Sequence, residues 1–293
     1  MSEETLPTPN VTGHTRLLAL LADPARHSSS PRMHTLAAAK LGLDYVYLAF
    51  DVNEDNLGEA VAAMRALDAR GFNLSMPNKL KVLEYVDEQS EAVQLIGSCN
   101  TVVNEDGKLI AHNTDGVGAM ETLRVNGRDP KGRTITIIGA GGAGTAIAVQ
   151  AGLDGASKIN VFNRKDAFWP HAEENVARIA KTGAETSPTD LADADALAAS
   201  LAESSVLIDA TSVGMGKLEG LTNIPDVSIL PKDIFVLHIP YNPPVTKLVG
   251  DCQAAGIAAV NGKEMLYQQG AAGFKIWTGQ DMPLDFIKQH VQF

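Results

Sequence analysis

The sequence predicts an α/β protein of two domains, the second built on a parallel sheet covered by helices on both faces. Three observations carry that reading. From residue 15 onward, short apolar or β-branched runs alternate with longer stretches of helical period, the pattern of strands returned by crossover helices. The run TITIIGA (134–140) is almost continuously β-branched, as expected of a strand buried on both faces of a parallel sheet. A length of 293 residues suits two hydrophobic cores of ordinary size.

Taken in order, TRLLALLAD (15–23) reads as a strand, SPRMHTLAAAKLGL (30–43) as a helix and YVYLAFDV (45–52) as a strand. NLGEAVAAMRALDARGF (56–72) reads as a helix and FNLSMP (72–77) as a strand. Two further helical stretches are expected over 78–97. TVVNEDGKLIAHN (101–113) holds two short runs about an Asp-Gly pair, a hairpin signal. A domain boundary is expected near 115, followed by a helix and a turn-rich connector in GVGAMETLRVNGRDPKGR (116–133). Beyond TITIIGA, strands are expected in KINVFNR, SSVLIDAT, DIFVLHI and AAVNG, with ADALAASLAE helical and IPYNPP a loop.

Composition excludes several classes. With 45% hydrophobic and 20% charged residues the chain has globular proportions, and no apolar run approaches the ~20 residues that span a bilayer, so no membrane partner is expected. A formal net charge of -11 repels phosphate backbones, and no basic stripe offsets it, so nucleic acid is not expected either. The seven histidines fall into no HxxxH or HExxH spacing, and no metal is expected. Cys99 and Cys252 are too few for a disulfide framework and read as core fillers in a reducing compartment. MSEETLPTPNVTGH (1–14) lacks the positive charge and apolar stretch of a secretory signal and reads as a disordered lead, with a cytoplasmic location expected.

The strongest single motif is TITIIGAGGAGTAIAVQAGL (134–153), where a buried-type strand runs into Gly139, Gly141 and Gly144 and then directly into an alanine-rich helix. Strand, GxGxxG, helix is a dinucleotide fingerprint, because glycines allow the tight turn and the close approach of backbone to a pyrophosphate at the helix N-terminus. A phosphate loop of nucleotidase type requires GK[ST] at its end, whereas Gly144 is followed by Thr145 and Ala146. The second domain is therefore expected to be of Rossmann type. At the end of the next strand, KINVFNRKD, Arg164 and Lys165 suit a ribose 2′-phosphate while Asp166 suits a 2′-hydroxyl. The expectation is NAD preferred and NADP tolerated.

SMPNK (75–79), SCNT (98–101), NTDGVG (113–118), GAGGAG (139–144), NRKD (163–166) and EMLYQQG (264–270) resemble, in this order, the shikimate dehydrogenase family. NRKD and YNPPVTKL (241–248) look most like its quinate/shikimate branch. The resemblance implies a substrate-binding α/β domain over 1–115, completed by C-terminal helices at about 265–293, a Rossmann NAD(P)-binding domain over 116–264, and a cleft between them. It implies that Lys79 and Asp115 are the catalytic pair. Ser28, Ser30, Tyr47, Ser75, Asn100, Thr114 and Gln269 are implied to bind the substrate. For the cofactor it implies Gly139, Ala140, Gly141, Gly142, Ala143, Gly144, Asn163, Arg164, Asp166, Ser212, Met215, Ile239, Tyr241 and Gly262.

Chemistry supplies a separate reason for the pair. Moving a hydride from a secondary alcohol leaves a proton that a side chain must collect, and must return when the ketone is reduced. Other roles fit some of these residues equally well. Ser30 before Pro31 also suits a helix N-cap, Asp115 could cap the following helix, and Tyr47 could be amphipathic core. His238 in HIPYNPP departs from the smaller or acidic residue expected there.

The functional expectation is an NAD(P)-dependent dehydrogenase interconverting shikimate or quinate with the corresponding ketone. Its partner would be a small alicyclic hydroxy acid, with a homodimer as an open expectation. The alternatives are a non-catalytic sensor of alicyclic acids and a two-domain dehydrogenase for another small substrate.

Overall fold

The structure, a computed structural model, describes residues 6–293; of the lead expected at 1–14, residues 1–5 lie outside the described residues and 6–14 form neither helix nor strand. The elements are β1 (Arg16–Ala22), α1 (Ser30–Lys40), β2 (Tyr45–Asp51), α2 (Leu57–Ala66), β3 (Gly71–Leu74), β4 (Glu88–Gln89), α3 (Glu91–Ile96), β5 (Thr101–Glu105), β6 (Lys108–His112) and α4 (Asp115–Val125). There follow β7 (Thr134–Ile138), α5 (Gly142–Leu153), β8 (Lys158–Asn163), α6 (Trp169–Ala180), β9 (Glu185–Asp190), α7 (Ala194–Glu203), β10 (Val206–Asp209), β11 (Phe235–His238), α8 (Lys247–Ala254), β12 (Ala259–Asn261), α9 (Lys263–Thr278) and α10 (Leu284–His290). They divide into two compact units, Met1–Thr114 with Gln269–Phe293, and Asp115–Gln268.

In the first unit a six-stranded sheet runs β2-β1-β3-β5-β6-β4. β1 pairs in parallel with β2 and β3, and the sheet turns antiparallel at β5 and β6. The Asp-Gly hairpin forms as its sequence suggests, with positive φ at Asp106 and Gly107. Ala19, Leu21, Phe72, Val102 and Leu109 build the core on one side of the sheet. Leu18, Leu20, Tyr47 and Trp277 build it on the other.

The stretch 78–97 departs from expectation. Only α3 is α-helical; Lys81–Glu84 makes a single 3-10 turn and β4 follows. The cause lies in Asp87, whose carboxylate accepts hydrogen bonds from the Leu109 amide (2.7 Å) and the Arg65 guanidinium (2.7 Å), drawing the chain onto β6. At the start of α1, Ser29 takes the N-cap position and Pro31 lies in the first turn. Ser30 is thus already helical, and the capping role open to it in the sequence is not the one it takes.

The second unit is a parallel sheet in the order β12-β11-β10-β7-β8-β9. Read outward from β7, this is the doubly wound arrangement, whose order reverses between β7 and β10. β9 (ETSPTD) was not expected from its polar sequence; it lies at the edge, where Pro188 costs no ladder bond to a second neighbour. Cys99 and Cys252 are both buried, and burial raises the Cys252 thiol to about 11. Among the described residues no helix is long and apolar enough to cross a membrane.

On α1, His34 is only 1% exposed. It stacks on Tyr47 (4.7 Å between centroids) and meets Trp277 edge-on at 5.2 Å. Burial lowers its pKa to about 3, against about 6.5 for an unfolded chain. Between these values the unfolded state binds more protons than the folded one. The neutral imidazole therefore contributes stability above about pH 6.5 that is lost as the pH falls toward 3, at up to about 1.4 kcal/mol per pH unit. His34→Phe is expected to flatten the decline of urea-unfolding free energy between pH 6.5 and 4; an unchanged slope would refute the assignment.

Candidate active site

Asn100, just ahead of β5, is 3% exposed and gathers three strand ends. Its Oδ1 accepts from the Thr114 amide (2.8 Å) and the Thr101 hydroxyl (2.9 Å), while its Nδ2 donates to Thr114 Oγ1 (3.0 Å). The Asn100 carbonyl accepts from the Leu74 amide (2.9 Å) and from Asn73 Nδ2 (2.9 Å). Its own amide donates to His112 O (3.2 Å). The ends of β3, β5 and β6 are tied at one residue, and the chain that carries Asp115 leaves directly from Thr114.

From this node the network runs outward through groups that are all neutral. Asn73 Nδ2 also donates to Thr101 Oγ1 (2.9 Å), and Asn73 Oδ1 accepts from the Tyr47 phenol (2.7 Å). The phenol in turn hydrogen-bonds the Ser30 side chain, and burial raises its pKa well above 10, so Tyr47 stays protonated and able to donate. Tyr47 is 1% exposed and packed among His34, Trp277 and the residues of β1. Its contact with Ser30 and Asn73 is therefore what the structure places, and its face is core. Ser28 is half-buried and its hydroxyl accepts from the Ser30 amide (3.2 Å). Ser75 is exposed and Gln269, on α9, is half-buried.

Lys79 is half-buried, and its turn is fixed by an amide the sequence reading passed over. Asn78 is fully buried, its Nδ2 donating to Val52 O (2.7 Å) and Leu21 O (3.2 Å), while its own N–H donates to Ser75 O (2.8 Å). The Cys99 amide then donates to Lys79 O (2.9 Å), joining the lysine's backbone to the residue beside Asn100. Asp115, half-buried, is the first residue of α4, not the residue before it.

In the second unit the glycine loop joins β7 to α5. Gly139 has φ +101°, a conformation that L side chains rarely adopt, and a Cβ on Gly144 would overlap the Gly139 carbonyl. Gly141 and Gly142 face open space, with nothing within 4 Å of where a Cβ would stand. Ala140 is held from both sides. Its N–H donates to Asn163 Oδ1 (3.1 Å) and its carbonyl accepts from Asn175 Nδ2 (2.8 Å). Ala143 lies half-buried in the first turn of α5. Two outward glycines at the N-terminus of a 12-residue helix leave a cradle that fits a pyrophosphate.

At the end of β8, Arg164 and Asp166 are exposed. Asp166 Oδ1 accepts from the Phe168 amide (2.9 Å), and Lys165 Nζ lies 5.5 Å from the Trp169 ring centroid. Ser212 and Met215 follow β10, both exposed, and Ile239 and Tyr241 follow β11, half-buried and exposed. Gly262 is buried against the Ile239 carbonyl. The residues missed by sequence reasoning are Asn73, Asn78, Thr101 and Asp209. Asn78, Thr101 and Asp209 are polar side chains at the edge of an apolar run and Asn73 is one set within such a run, the one signal that could have found them.

Two family models match the chain, the shikimate dehydrogenase substrate binding domain over residues 20–102 and the shikimate 5′-dehydrogenase C-terminal domain over 262–292. A shikimate dehydrogenase (NADP(+)) of Streptococcus uberis is 51% identical over 282 residues, 95% of this chain and 96% of its own. The crystal structure of shikimate 5-dehydrogenase from Listeria monocytogenes in complex with shikimate and NAD superposes with a TM-score of 0.93 at 46% identity, covering 96% of this chain and 98% of that one. A quinate dehydrogenase of Corynebacterium glutamicum in complex with NAD gives 0.82 at 27% identity, over 94% and 98%. With a Rossmann-type sheet, a glycine loop shaped for a pyrophosphate and relatives of this identity over nearly the whole length, the chain belongs to the shikimate dehydrogenase family.

Proposed function

We propose that the protein oxidises the ring alcohol of shikimate to a ketone, and reduces it back, with a nicotinamide dinucleotide. The observation that carries the reading is the unbroken run of neutral hydrogen-bonding groups from Ser30 through Tyr47, Asn73, Thr101 and Asn100 to Thr114. Such a run orients side chains toward a small acid bearing several hydroxyls without burying a countercharge. The names of the Streptococcus and Listeria relatives support shikimate as the substrate. Quinate enters as a second substrate through the more distant Corynebacterium relative.

When bound, the nicotinamide supplies or accepts the hydride. Its pyrophosphate would be held by the amides of the 139–144 loop, with Ser212, Met215, Ile239, Tyr241 and Gly262 toward the nicotinamide end. In the ketone-reducing direction Lys79 Nζ donates a proton to the carbonyl oxygen, and in the oxidising direction the same nitrogen collects the hydroxyl proton. Asp115 orients the substrate oxygen and the ammonium by its negative charge. Ser28 donates to the substrate carboxylate, and Ser30 joins it by turning its hydroxyl hydrogen from the Tyr47 oxygen, while Ser75, Asn100, Thr114 and Gln269 position the ring hydroxyls.

For the cofactor, the relatives' names favour NADP(+), while the Listeria complex contains NAD. The NAD preference expected from Asp166 has no support in those names. Exposed Arg164 and Lys165 offer charge to a 2′-phosphate, and Asp166 has one carboxylate oxygen engaged by its own loop. NADP is therefore the proposed main cofactor, with Asp166 allowing NAD to compete.

Initial rates for shikimate and quinate, each with NAD and NADP, test the assignment. The fastest cell should be shikimate with NADP, and Asp166→Ala should move the ratio further toward NADP; an unchanged ratio would sink the role given to Asp166. Lys79→Ala should lower kcat roughly 10²- to 10⁴-fold, and near-normal turnover would remove it from the mechanism. Binding of shikimate with no reduced-nicotinamide absorbance in wild type would favour a sensor.

A further inference from the structure

β10 and β11 are neighbours at the centre of the parallel sheet and each ends on an ionisable side chain, Asp209 paired in register with His238. Both are 0% exposed. Asp209 Oδ1 accepts from the amide (3.0 Å) and hydroxyl (2.7 Å) of Thr211, and Oδ2 accepts from Asn223 Nδ2 (2.9 Å) and lies 3.9 Å from His238 Nε2. The same imidazole nitrogen contacts the Val213 carbonyl at 2.9 Å. Both neighbours of Nε2 are acceptors, so Nε2 carries the hydrogen and donates to Val213 O. Nδ1 lies 2.7 Å from the hydroxyl of Thr246, the N-cap of α8. That hydroxyl donates to Nδ1 while its oxygen accepts from the Val249 amide.

The segment 211–215 lies directly on this ring. Gly214 has φ +100°, and a Cβ there would stand 2.8 Å from His238 Cε1. Thr211 Oγ1 also accepts from the Val213 amide (3.2 Å) and from Asn223 Nδ2 (2.9 Å), so the loop is pinned at Thr211 by the carboxylate and at Val213 by the imidazole. None of these side chains is among the residues assigned to substrate or cofactor. Ser212 and Met215, which lie between and beyond the two pins, are.

We propose that Asp209 and His238 are positioning residues that lock the 211–215 loop in the shape that receives the nicotinamide end of the cofactor. The inference rests on the cofactor site proposed above. It specifies the neutral Nε2–H tautomer of His238 as the working form and assigns Thr246 the task of fixing that tautomer from behind.

Three measurements judge it. In wild type, the ¹⁵N resonances of His238 should show the Nε2–H tautomer, and its proton should exchange slowly; an Nδ1–H tautomer or a fast-exchanging proton would overturn the proposal. His238→Leu should keep the KM for shikimate within about twofold while kcat falls roughly 10- to 100-fold, and should diminish the fluorescence change of NADPH on binding. His238→Gln, which restores an N–H toward Val213 O, should recover most of both. Should His238→Leu fail to fold, Gly214→Ala carries the test, since it moves the loop off the ring and leaves the polar pair intact. Equal kcat and unaltered NADPH fluorescence in a folded variant would overturn the role. If wild type turned over no shikimate, the substrate reading alone would fall, because the resonances and NADPH binding are read without it.

Discussion

One carboxamide, that of Asn100, sets the geometry on which the first unit's candidate site depends. Buried polar side chains are costly unless every group finds a partner, and here the partners lie on three different strand ends. The Leu74 and Asn73 bonds fix the exit from β3, and the Thr114 bonds fix the exit from β6. Lys79 is reached from the first exit and Asp115 from the second. A slip of either strand by one residue would orphan several buried donors at once, at about 1–3 kcal/mol each, so the polar node specifies register more sharply than the apolar faces could.

The second unit obeys a different constraint, the close approach of backbone to backbone. Its glycine loop lies at the end of β7, where the strand order reverses, and crevices outside the carboxyl ends of such strands are where ligands bind in open α/β sheets. Candidate residues at 139–144, 163–166, 212–215 and 239–241 all lie at or just beyond the carboxyl ends of β7, β8, β10 and β11. Side chains under the loops matter as much as those facing outward. Asn163 and Asn175 brace Ala140, and Asp209 and His238 brace the segment after β10.

How much of this was legible follows from the kind of signal each residue gives. The glycine loop was plain, because strand, GxGxxG and helix are contiguous, with Gly139 and Gly144 answering local steric demands and Gly141 leaving the space in front of the helix open. The doubly wound sheet followed from alternation, and only β9 escaped, since an edge strand needs neither apolar residues nor a full set of donors. The helix expected ahead of α3 failed because Asp87 finds its partners on Leu109 and Arg65, far along the chain. Ser30 illustrates the same limit. Its neighbour Pro31 announced a helix start correctly, but one residue late, and its hydroxyl partner Tyr47 lies on the next strand. Asn73, Asn78 and Thr101 were unreadable as a set because their bonds join segments more than 20 residues apart.

Amide hydrogen exchange in wild-type protein reads the central node directly. The N–H groups of Leu74, Cys99, Asn100 and Thr114 should exchange as slowly as those of Val102 and Val103 within β5, because all four close bonds inside one cooperative unit. Exchange at those four positions as fast as at the amide of exposed Val11 would contradict the account, since the strand ends would then open independently of the sheet they terminate.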